Sequence, residues 1–502
     1  MRLKILLDMR PAFDGYSGIP QETRLLFRGL GRLPGVQVLG LIQSGNLPLQ
    51  PGLQVRRGEV VKPRDPADVV GRLSKVVVSL QQGALSHRME WLRNKLLTYG
   101  GPTLAVAGSL VGRKVPLTAF DPTHFKDFVW RSMFAKSLPA GDFDHVTSAS
   151  YRIFRWPWSA LNALGVATSM LGKALYPRLD TIGIDFLIAE TPYPGRVSGR
   201  TRMIVRYHDA MPLLMPHTVK NRALHRAMHF EALKRNARDG AWFACVSEAT
   251  RSDLLSILPE LEARTVTIPN MISHHFRGED APADRVPEII WSRKNRQAPH
   301  EGGADISAKD LVEGQLPYLL MVSTIEPRKN HQALLDAWEL LRSGRYPRLN
   351  LVCVGALGWD DQHILQRFLP WLRRGGLHLL QDVPADDLRL LYRHAAATVC
   401  PSFGEGFDFS GVEAMSCGGV VAASDIRVHR DVYADAAEYF DSYAPADLAG
   451  LLDGMLDPAA KTRREALVAR GAEVAAQYSP ERVLPQWQAF LDRLCTADGA
   501  DA

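Results

Sequence analysis

Two carboxylates stand eight residues apart in the segment FGEGFDFSGVEAMSCGG, which runs from Phe403 to Gly419. Glu405 and Glu413 are separated by glycines, and they follow the apolar run AATVCPSF. A short apolar run of this kind predicts a buried parallel strand, and open α/β sheets bind ligands beyond the carboxyl ends of such strands. Glu405 is therefore expected to lie in a ligand-binding crevice.

The residues after Glu405 predict a helix that begins near Ser410. Ser410 and Glu413 have the spacing of a capping box, which would give Glu413 a purely structural task. The alternative is a binding site, because Gly404, Gly406 and Gly411 let the backbone approach a ligand and the first N–H groups of a helix attract an anion. Carboxylates beside a bound phosphate accept hydrogen bonds from hydroxyls. These features together describe a pocket for a sugar nucleotide.

The elements that must position these groups follow an alternating pattern. In the first half, strands are predicted at LKILLD, GVQVLGLIQ, DFLIAE, RMIVRY, AWFACV and TVTIPNMI. In the second half, they are predicted at YLLMV, LNLVCV, LHLLQDV, ATVC and GVVAAS. Each half of the chain thus has its own series of strands alternating with helices. Two such series favour an α/β protein with two Rossmann-like domains. The expected division is a first domain at 1–276 with a basic insertion at about 51–180, a linker or surface excursion at 277–316, a second domain at 317–480, and a terminal helix and tail at 481–502.

The composition is that of a soluble globular protein. Hydrophobic residues make up 46% and charged residues 23% of the 502 residues, and no apolar run approaches the roughly 18 residues that a membrane span requires. The first residues, MRLKILLDMR, predict a strand and not a signal peptide. The five cysteines have no CxxC spacing, which favours a reduced, cytoplasmic chain without a disulfide or zinc framework.

The charge is unevenly distributed along the chain. Residues 1–270 contain 36 Lys and Arg against 21 Asp and Glu, whereas the remainder contains 24 against 33. A basic first half suggests an anionic partner. The sequence has no basic-aromatic platform or zinc-finger spacing for nucleic acid, so anionic lipid headgroups or a phosphorylated acceptor fit at least as well. A basic surface kept for solubility is the simpler alternative.

Two further features of the insertion have a functional and a structural interpretation. The segment 152–178 has no charge between Arg155 and Lys173 and carries tryptophans near its basic flank, as expected either for a membrane interface or for a helix packed on its own domain. The triplet Asp142-Phe143-Asp144 formally matches a DxD metal-diphosphate motif. It lies far from the donor constellation and short acidic pairs are common, so no metal and no cofactor are expected.

Several motifs, taken in order, resemble one family. EGFDFSGVEAM resembles the Glu-x7-Glu motif of retaining glycosyltransferases of the GT-B fold, family 4, and MVSTIEPRKNHQALLDAW is similar to the segment that carries their cationic diphosphate ligands. VVAASDIRVHRDVYADAAEYFD, RYHDAMPLLMP, ACVSEATRSDLL and DMRPAFDGYSGI are similar to other segments of the family. The likeness spans both halves, outside 51–180 and the linker. It implies a GT-B fold, in which two Rossmann-like domains face a central cleft.

The resemblance implies a role for each matching residue. Glu405 would hold the hydroxyls of the donor sugar, and Glu413 the ribose. Lys329, with Arg328, would neutralise the diphosphate, since fixed cations stabilise the charge that builds up on a departing phosphate. His208 would contact the transferred sugar from the opposite domain. The implied catalytic residues are Glu405, His208, Lys329 and Arg328, and the implied donor-binding residues are Glu413, Gly406, Phe407, Asp408, Ser410, Gly411, Gly15 and Gly18.

This chain departs from the family pattern at two places. Relatives commonly have glycine, an aliphatic residue and proline where this chain has Asp408, Phe409 and Ser410. Many also place their arginine a few positions before Arg328, where this chain has Thr324. A carboxylate beside a diphosphate is unfavourable unless it binds hydroxyls or points away. The departure at Asp408 therefore bears on the identity of the donor sugar more than on the reaction class, whereas the one at Thr324 concerns the role of Arg328.

A pair of glutamates also invites a glycosidase interpretation, with one acid and one nucleophile. Both glutamates lie on one loop-to-helix segment, and the predicted cap would turn Glu413 toward the helix end, so we reject it. The resemblance implies retention without a protein nucleophile: the acceptor attacks the face that the phosphate leaves, and a phosphate oxygen takes the proton.

The sequence thus predicts a cytoplasmic hexosyltransferase, with association to the inner face of the cell membrane left open. It would move a hexose from a nucleotide-diphosphate sugar to a growing, lipid-linked saccharide in cell-surface polysaccharide synthesis. Resemblance to O-antigen and polysaccharide mannosyltransferases makes GDP-mannose the first candidate donor. The alternatives are a sugar phosphorylase or soluble glycoside synthase of the same fold, and a non-catalytic scaffold. A dinucleotide oxidoreductase is more distant, because neither half has a clear GxGxxG after its first strand.

Overall fold

The computed structural model of the chain describes residues 2–16, 18–56, 58–81, 88–219, 221–293 and 316–500, without the side chains of 88–96 and 497–500.

The first half is built on a mainly parallel sheet with the order β12-β11-β10-β9-β1-β2-β7-β6. Only the β6–β7 pair in it is antiparallel among the described pairings. Its strands are apolar on both faces, as expected for a sheet that helices cover on both sides. The strands of this half are β1 (Leu3–Asp8), β2 (Val36–Ile42), β3 (Gln54–Arg56), β4 (Glu59–Val61), β5 (Val115–Pro116), β6 (Thr118–Phe120), β7 (Ser150–Ile153), β8 (Leu179–Asp180), β9 (Phe186–Ala189), β10 (Arg202–Tyr207), β11 (Trp242–Cys245) and β12 (Thr265–Thr267).

The second half is built on a parallel sheet with the order β15-β14-β13-β16-β17-β18. Its strands are β13 (Tyr318–Val322), β14 (Asn350–Val354), β15 (Leu377–Leu380), β16 (Ala397–Cys400), β17 (Val421–Ser424) and β18 (Ala437–Phe440). The strand order reverses between β13 and β16, so a crevice opens beyond their carboxyl ends, where doubly wound sheets bind ligands. The segments after both strands carry the residues singled out from the sequence.

Helices cover both faces of each sheet. In the first half they are α1 (Ile19–Leu30), α2 (Pro66–Gln81), α3 (Arg88–Leu110), α4 (Lys126–Val129), α5 (Phe143–Thr147), α6 (Trp158–Ser169), α7 (Met211–Leu214), α8 (Arg222–Arg238) and α9 (Glu248–Ile257). The next helix, α10 (Arg285–Ser292), follows the first sheet in the chain. In the second half they are α11 (His331–Ser343), α12 (Gln362–Arg374), α13 (Ala385–His394), α14 (Phe409–Ser416), α15 (Arg427–Tyr433), α16 (Pro445–Leu456), α17 (Lys461–Ala476) and α18 (Pro480–Ala500).

The basic insertion at 51–180 is part of the first domain. It supplies β6 and β7, which extend the edge of the first sheet beyond β2, and α6, which buries Leu161 and Gly165. Most of the segment 152–178 is therefore packed against its own domain, whereas Met170 and Leu171 at the end of α6 are exposed. Within the described residues, no helix is both long enough and apolar enough to cross a membrane.

The stretch predicted as an irregular linker, 277–316, contains a helix. In α10, Val286, Ile289 and Ile290 are buried in the core of the second sheet, and Arg293 pairs with Asp387 at the start of α13. The apolar spacing of these three residues is that of one helix face, but the surrounding polar residues obscured it in the sequence. Residues 294–315 lie outside the described part of the chain.

The terminal helix α18 packs on the first domain and not on the second, which precedes it. Val483, Trp487, Phe490, Leu491 and Leu494 form its apolar stripe and are buried with the strands and α1 of the first half. The predicted helix is confirmed, and its packing links the two domains a second time.

Candidate active site

A compact cluster of charges lies where the second sheet reverses its strand order. Glu405 follows β16, and Arg328 and Lys329 follow β13. Arg328 Nη1 donates to Glu405 Oε2 at 2.5 Å, and Lys329 Nζ donates to Glu405 Oε1 at 2.6 Å. The two cations and the carboxylate predicted from the sequence are thus brought into direct contact.

The ionisation of the cluster follows from its burial and its charges. Burial favours the neutral form of Glu405, but Arg328 and Lys329 outweigh it and hold the pKa of Glu405 below its usual range. Burial likewise disfavours the charged form of Lys329, yet the Glu405 carboxylate raises the pKa of Lys329 above its usual value. At neutral pH these three groups are therefore charged.

Glu326 is a member of this cluster that the sequence did not reveal. Its buried carboxylate accepts hydrogen bonds from Arg328 Nη2 at 2.9 Å and Nε at 3.1 Å. Arg328 is therefore held from two sides, by Glu326 and by Glu405. It also donates to the carbonyl of Gly404 at 2.7 Å, which ties the loop after β13 to the loop after β16.

The loop that carries the cations is fixed by Asn330. Asn330 has a φ of 59°, in the left-handed region that asparagine tolerates better than most residues. Its side-chain amide donates to the carbonyls of Pro401 at 3.0 Å and Ser442 at 2.9 Å. These contacts hold the start of α11 beside the Glu405 loop.

Glu413 faces the first domain. Its Oε1 accepts a hydrogen bond from Gln21 Nε2 of α1 at 2.8 Å, and its Oε2 accepts one from the Tyr392 hydroxyl at 3.0 Å. Burial raises the pKa of Glu413 to about 7, although these two hydrogen bonds oppose the shift. The carboxyl group therefore titrates near neutral pH.

The predicted capping box at Ser410 and Glu413 is wrong. The N-cap of α14 is Asp408, whose Oδ1 accepts from the Ser410 N–H at 3.3 Å and from its hydroxyl at 2.7 Å. Glu413 is instead engaged by Gln21 and Tyr392. The orientation that we used against a glycosidase is therefore incorrect, although both glutamates do lie on one loop-to-helix segment.

Asp408 is committed to its own domain. Beyond the cap, its Oδ2 lies 3.3 Å from His429 Nε2. Burial opposes ionisation, but the contacts with His429 and Ser410 and the nearby Lys329 charge keep the pKa of Asp408 well below its usual range. Its carboxylate is thus occupied by contacts within the second domain.

Three predicted donor-binding positions are used for packing or hydrogen bonding within the second domain. Phe407 is buried against the rings of Phe409 and Tyr478. A Cβ on Gly411 would lie 2.3 Å from the Tyr433 ring, and the Ser410 hydroxyl bonds to Asp408. At Phe407 and Gly411 only the backbone is left to contact a ligand.

The Glu405 loop packs directly against the first domain. A Cβ on Gly406 would stand 1.7 Å from the carbonyl oxygen of His208, and one on Gly404 would stand 2.8 Å from the Met215 sulfur. The Gly406 carbonyl accepts from the hydroxyls of Ser247 at 2.7 Å and Thr250 at 3.1 Å. The main chain of His208 therefore lies directly against the Glu405 loop, and Gly406 permits that approach.

His208 is paired with Glu190, which the sequence analysis did not single out. His208 Nε2 lies 3.0 Å from Glu190 Oε2, and these residues follow the neighbouring strands β10 and β9. Burial, reinforced by the Arg206 charge, lowers the pKa of His208 to about 4. Burial raises the pKa of Glu190 to about 8. At pH 7 the hydrogen bond therefore joins two neutral groups, and the position of Glu190 at a strand end could have identified it.

The first glycine loop is held by Arg24, a buried residue of α1. Arg24 Nη2 donates to the carbonyls of Ala12, Asp14 and Gly15 at 2.9, 2.7 and 2.8 Å. A Cβ added to Gly15 or Gly18 would meet no other described atom within 4 Å, and Gly18 has a φ of 71°. The loop is thus anchored on one side and open on the other.

The DxD match is divided between two environments. Asp142 is buried and pairs with Arg28 of α1 at 2.7 Å and with Arg32 at 2.5 Å. Asp144 is exposed and pairs with Lys126. Asp142 therefore fastens the insertion to α1.

A cavity of about 780 Å³ lies between the two domains, next to the segments that carry the charge cluster. Pro327, Asn330 and Phe403 line it from the second domain, and His217 and Arg222 line it from the first. Pro327 and Asn330 flank Arg328 and Lys329 in the chain, but the three charged residues of the cluster do not themselves line the cavity.

Comparison with known proteins agrees with this architecture. Residues 304–473 match the family described as glycosyl transferases group 1. The chain is 37% identical over 170 residues to the O-antigen chain mannosyltransferase B of Escherichia coli, covering 34% of this chain and 44% of that protein. It is 35% identical over 143 residues to the serotype-specific mannosyltransferase WbdA of Escherichia coli, covering 28% of this chain and 17% of that protein. The chain thus spans less than half the length of these relatives.

Solved structures with a similar fold cover almost the whole chain. The sucrose-phosphate synthase of Thermosynechococcus elongatus has a TM-score of 0.58 at 13% identity, covering 99% of this chain and all of that one. HepE of Anabaena, solved with UDP-glucose, has a TM-score of 0.54 at 13% identity, covering 98% of this chain and all of that one. At this identity the likeness concerns the fold. The chain thus has the two-domain GT-B fold, and its residues 304–473 match the family of glycosyl transferases group 1.

Proposed function

We propose that the protein is a retaining hexosyltransferase that uses a nucleotide-diphosphate sugar, with GDP-mannose as the first donor to test. The acceptor is a growing, lipid-linked saccharide in the synthesis of a cell-surface polysaccharide. The observation that carries the proposal is the contact of Arg328 and Lys329 with Glu405, at the reversal of the second sheet and opposite His208.

The chemistry of this cluster suits the departure of a phosphate. A diphosphate bound beyond β13 and β16 would compete with Glu405 for Arg328 and Lys329, both of which are charged at neutral pH. As the bond between the sugar C1 and the phosphate oxygen breaks, negative charge grows on that oxygen, and fixed cations in a buried site stabilise it. Glu405, released from one of these contacts, can accept hydrogen bonds from sugar hydroxyls.

The first domain supplies the opposite wall of the site. The acceptor hydroxyl would approach C1 from the face that the phosphate leaves, form the new C1–O bond and pass its proton to a phosphate oxygen. His208 is neutral at pH 7, so it can exchange hydrogen bonds with the sugar without adding a charge. The contact between Gly406 and the His208 carbonyl brings the two walls together and limits the access of water.

The choice of donor and acceptor comes from the relatives. Two matched proteins are named as O-antigen or serotype-specific mannosyltransferases, and the range matched by the glycosyl transferases group 1 family contains Glu405 and Glu413. In our proposal, Glu413 binds the ribose, and Asp408 acts as a helix cap and not as a donor ligand.

The proposal can be tested with the purified chain and a panel of GDP-, UDP-, ADP- and TDP-sugars. Binding to the folded state should raise the melting temperature for one nucleotide family. Transfer from that donor to a synthetic lipid-linked oligosaccharide should give a product whose anomeric configuration, read by NMR, equals that of the donor.

Matched variants separate the site from the general surface. Glu405→Gln should lose most transfer activity, and Glu465→Gln, an exposed glutamate of α17, should keep it. Inversion of the anomer would exclude the retaining mechanism. A folded protein that neither binds nor transfers any of these sugars would favour a non-catalytic scaffold.

A further inference from the structure

We infer that the first domain docks on an anionic membrane surface through the ends of α3 and α6. Two pairs of apolar residues form the contact: Leu110 with Val111, the first tip, and Met170 with Leu171, the second tip. Met170 and Leu171 are 85% and 89% exposed, the highest values for large hydrophobic residues in the described part of the chain. Leu110 and Val111 are 65% and 76% exposed.

Both tips are built in the same way. Each apolar pair stands at the C-terminal end of a helix, since α3 ends at Leu110 and α6 at Ser169. Each pair is followed by a glycine with positive φ, 82° at Gly112 and 118° at Gly172. A Cβ added to either glycine would meet no other described atom within 4 Å, so these glycines serve to reverse the chain and not to allow close packing. Side chains at such turns project from the domain, and water surrounds them unless another surface covers them.

The two tips lie on the same side of the domain because α3 and α6 run side by side. Gly101 of α3 lies against the ring of Trp156, just before α6 begins. Near the end of α3, the Ser109 hydroxyl accepts from the Arg178 N–H at 2.9 Å, and Val115 N–H donates to the Arg178 carbonyl at 2.7 Å. The chain returning from the second tip is therefore joined to the chain leaving the first.

The outward face of α3 continues the apolar surface. Leu97, Leu104 and Val111 are seven residues apart, so they lie along one face of the helix, and all three are exposed. An exposed apolar stripe that ends in two projecting pairs is larger than the single surface hydrophobics that soluble proteins usually carry.

The charges around the two tips indicate that the surface they contact is an anionic bilayer. Exposed cations directly follow the tips, Arg113 and Lys114 after the first and Lys173 after the second. Residues 97–120 and 145–179 contain no Asp or Glu, so no carboxylate from these segments opposes an anionic surface. Apolar side chains that enter the interface, surrounded by lysine and arginine, are the combination that binds membranes containing acidic lipids.

Docking here would place the enzyme on the surface that holds a lipid-linked acceptor. The inference deepens the proposed function by naming the surface on which that acceptor is met. Its test uses neither donor nor acceptor, so the two can fail separately.

The test is flotation of the full chain with vesicles of phosphatidylcholine alone or with 30% phosphatidylglycerol, a composition chosen to give a negative surface. We expect binding to the anionic vesicles and about tenfold less to the neutral ones. The variants Leu110→Ser/Val111→Ser and Met170→Ser/Leu171→Ser should each reduce binding to the anionic vesicles about tenfold. Arg113→Ser/Lys114→Ser should reduce it and make it less sensitive to salt.

Leu340→Ser/Leu357→Ser, which changes exposed leucines of the second domain, is the matched control and should bind like the unaltered protein. Unchanged melting temperatures verify folding, because all substituted side chains are exposed. The inference is overturned if the unaltered chain binds neither vesicle, or if both tip variants bind as well as it does. Sugar transfer to a soluble acceptor by a chain that binds no vesicle would overturn this inference and leave the proposed function intact.

Discussion

Gly406 lies directly on the main chain of His208, so that a Cβ at position 406 would stand 1.7 Å from the His208 carbonyl oxygen. This contact joins the loop of Glu405 to the first domain at the point where the two halves face each other. Ser247 and Thr250 complete it by donating to the Gly406 carbonyl.

Gly406→Ala should therefore separate the domains at the site. The added methyl group would meet backbone on the other side, which cannot move aside as a flexible side chain can. We expect turnover to fall about 100-fold, since small displacements of reacting groups have effects of this size. Gly450→Ala, in an exposed and open position of α16, is the control and should keep full activity. Small-angle scattering would report the separation, and an unchanged rate in a closed Gly406→Ala protein would contradict the prediction.

Lys329→Ala should weaken donor binding and slow transfer. The substitution removes one of two cations from the buried Glu405 carboxylate and from the proposed diphosphate, so kcat/KM should fall about 10²–10³-fold. Lys461→Ala, which changes an exposed lysine of the same domain, should have no effect. Calorimetric titration with the nucleotide diphosphate alone would separate binding from chemistry, and unaltered affinity in Lys329→Ala would remove the diphosphate from this position.

Glu413 should make stability depend on pH in a defined direction. Its folded-state pKa of about 7 lies above the ordinary value of 4.5, so the folded state binds more protons and loses stability as pH rises from about 4.5 through 7. The full effect is on the order of 3 kcal/mol. The side chain of Glu413→Gln cannot ionise and keeps an acceptor oxygen. The free energy of unfolding of the variant, relative to that of the unaltered protein, should therefore be larger at pH 8 than at pH 5. Urea unfolding at both pH values measures this, and an equal difference at both would show that Glu413 does not titrate in this range.

Glu190 should set the alkaline limit of activity. Its pKa of about 8 means that it holds His208 as a neutral partner at pH 7 and gains a buried charge above pH 8. We expect kcat to decrease above about pH 8 in the unaltered protein and to remain level in Glu190→Gln, whose amide preserves the hydrogen bond. His208→Ala should lower kcat about 100-fold at every pH, as for the loss of a well-placed polar group in a closed site. A decrease above pH 8 that persists in Glu190→Gln would assign the titration to another group.

The local sequence was sufficient for the elements and for part of the site. Apolar runs such as LKILLD and ATVC form buried parallel strands because both faces of a covered sheet are apolar. The rule that ligands bind beyond such strands placed Glu405, Lys329 and His208 correctly at strand ends. The same rule could have found Glu190 after β9, but one carboxylate after FLIA has no distinctive spacing.

The partners of these residues depended on contacts between segments far apart in the chain. Asp408 and not Ser410 caps α14, because Asp408 adopts a φ of 61° and His429, from another helix, secures its carboxylate. Gln21 reaches Glu413 from 392 positions away, and the apolar stripe of α18 packs on the first domain. Local composition and spacing fixed the strands, the helices and the types of side chain at their ends. The tertiary structure alone decided which charges meet and which are buried, because ionisation and pairing depend on neighbours that sequence separation does not reveal.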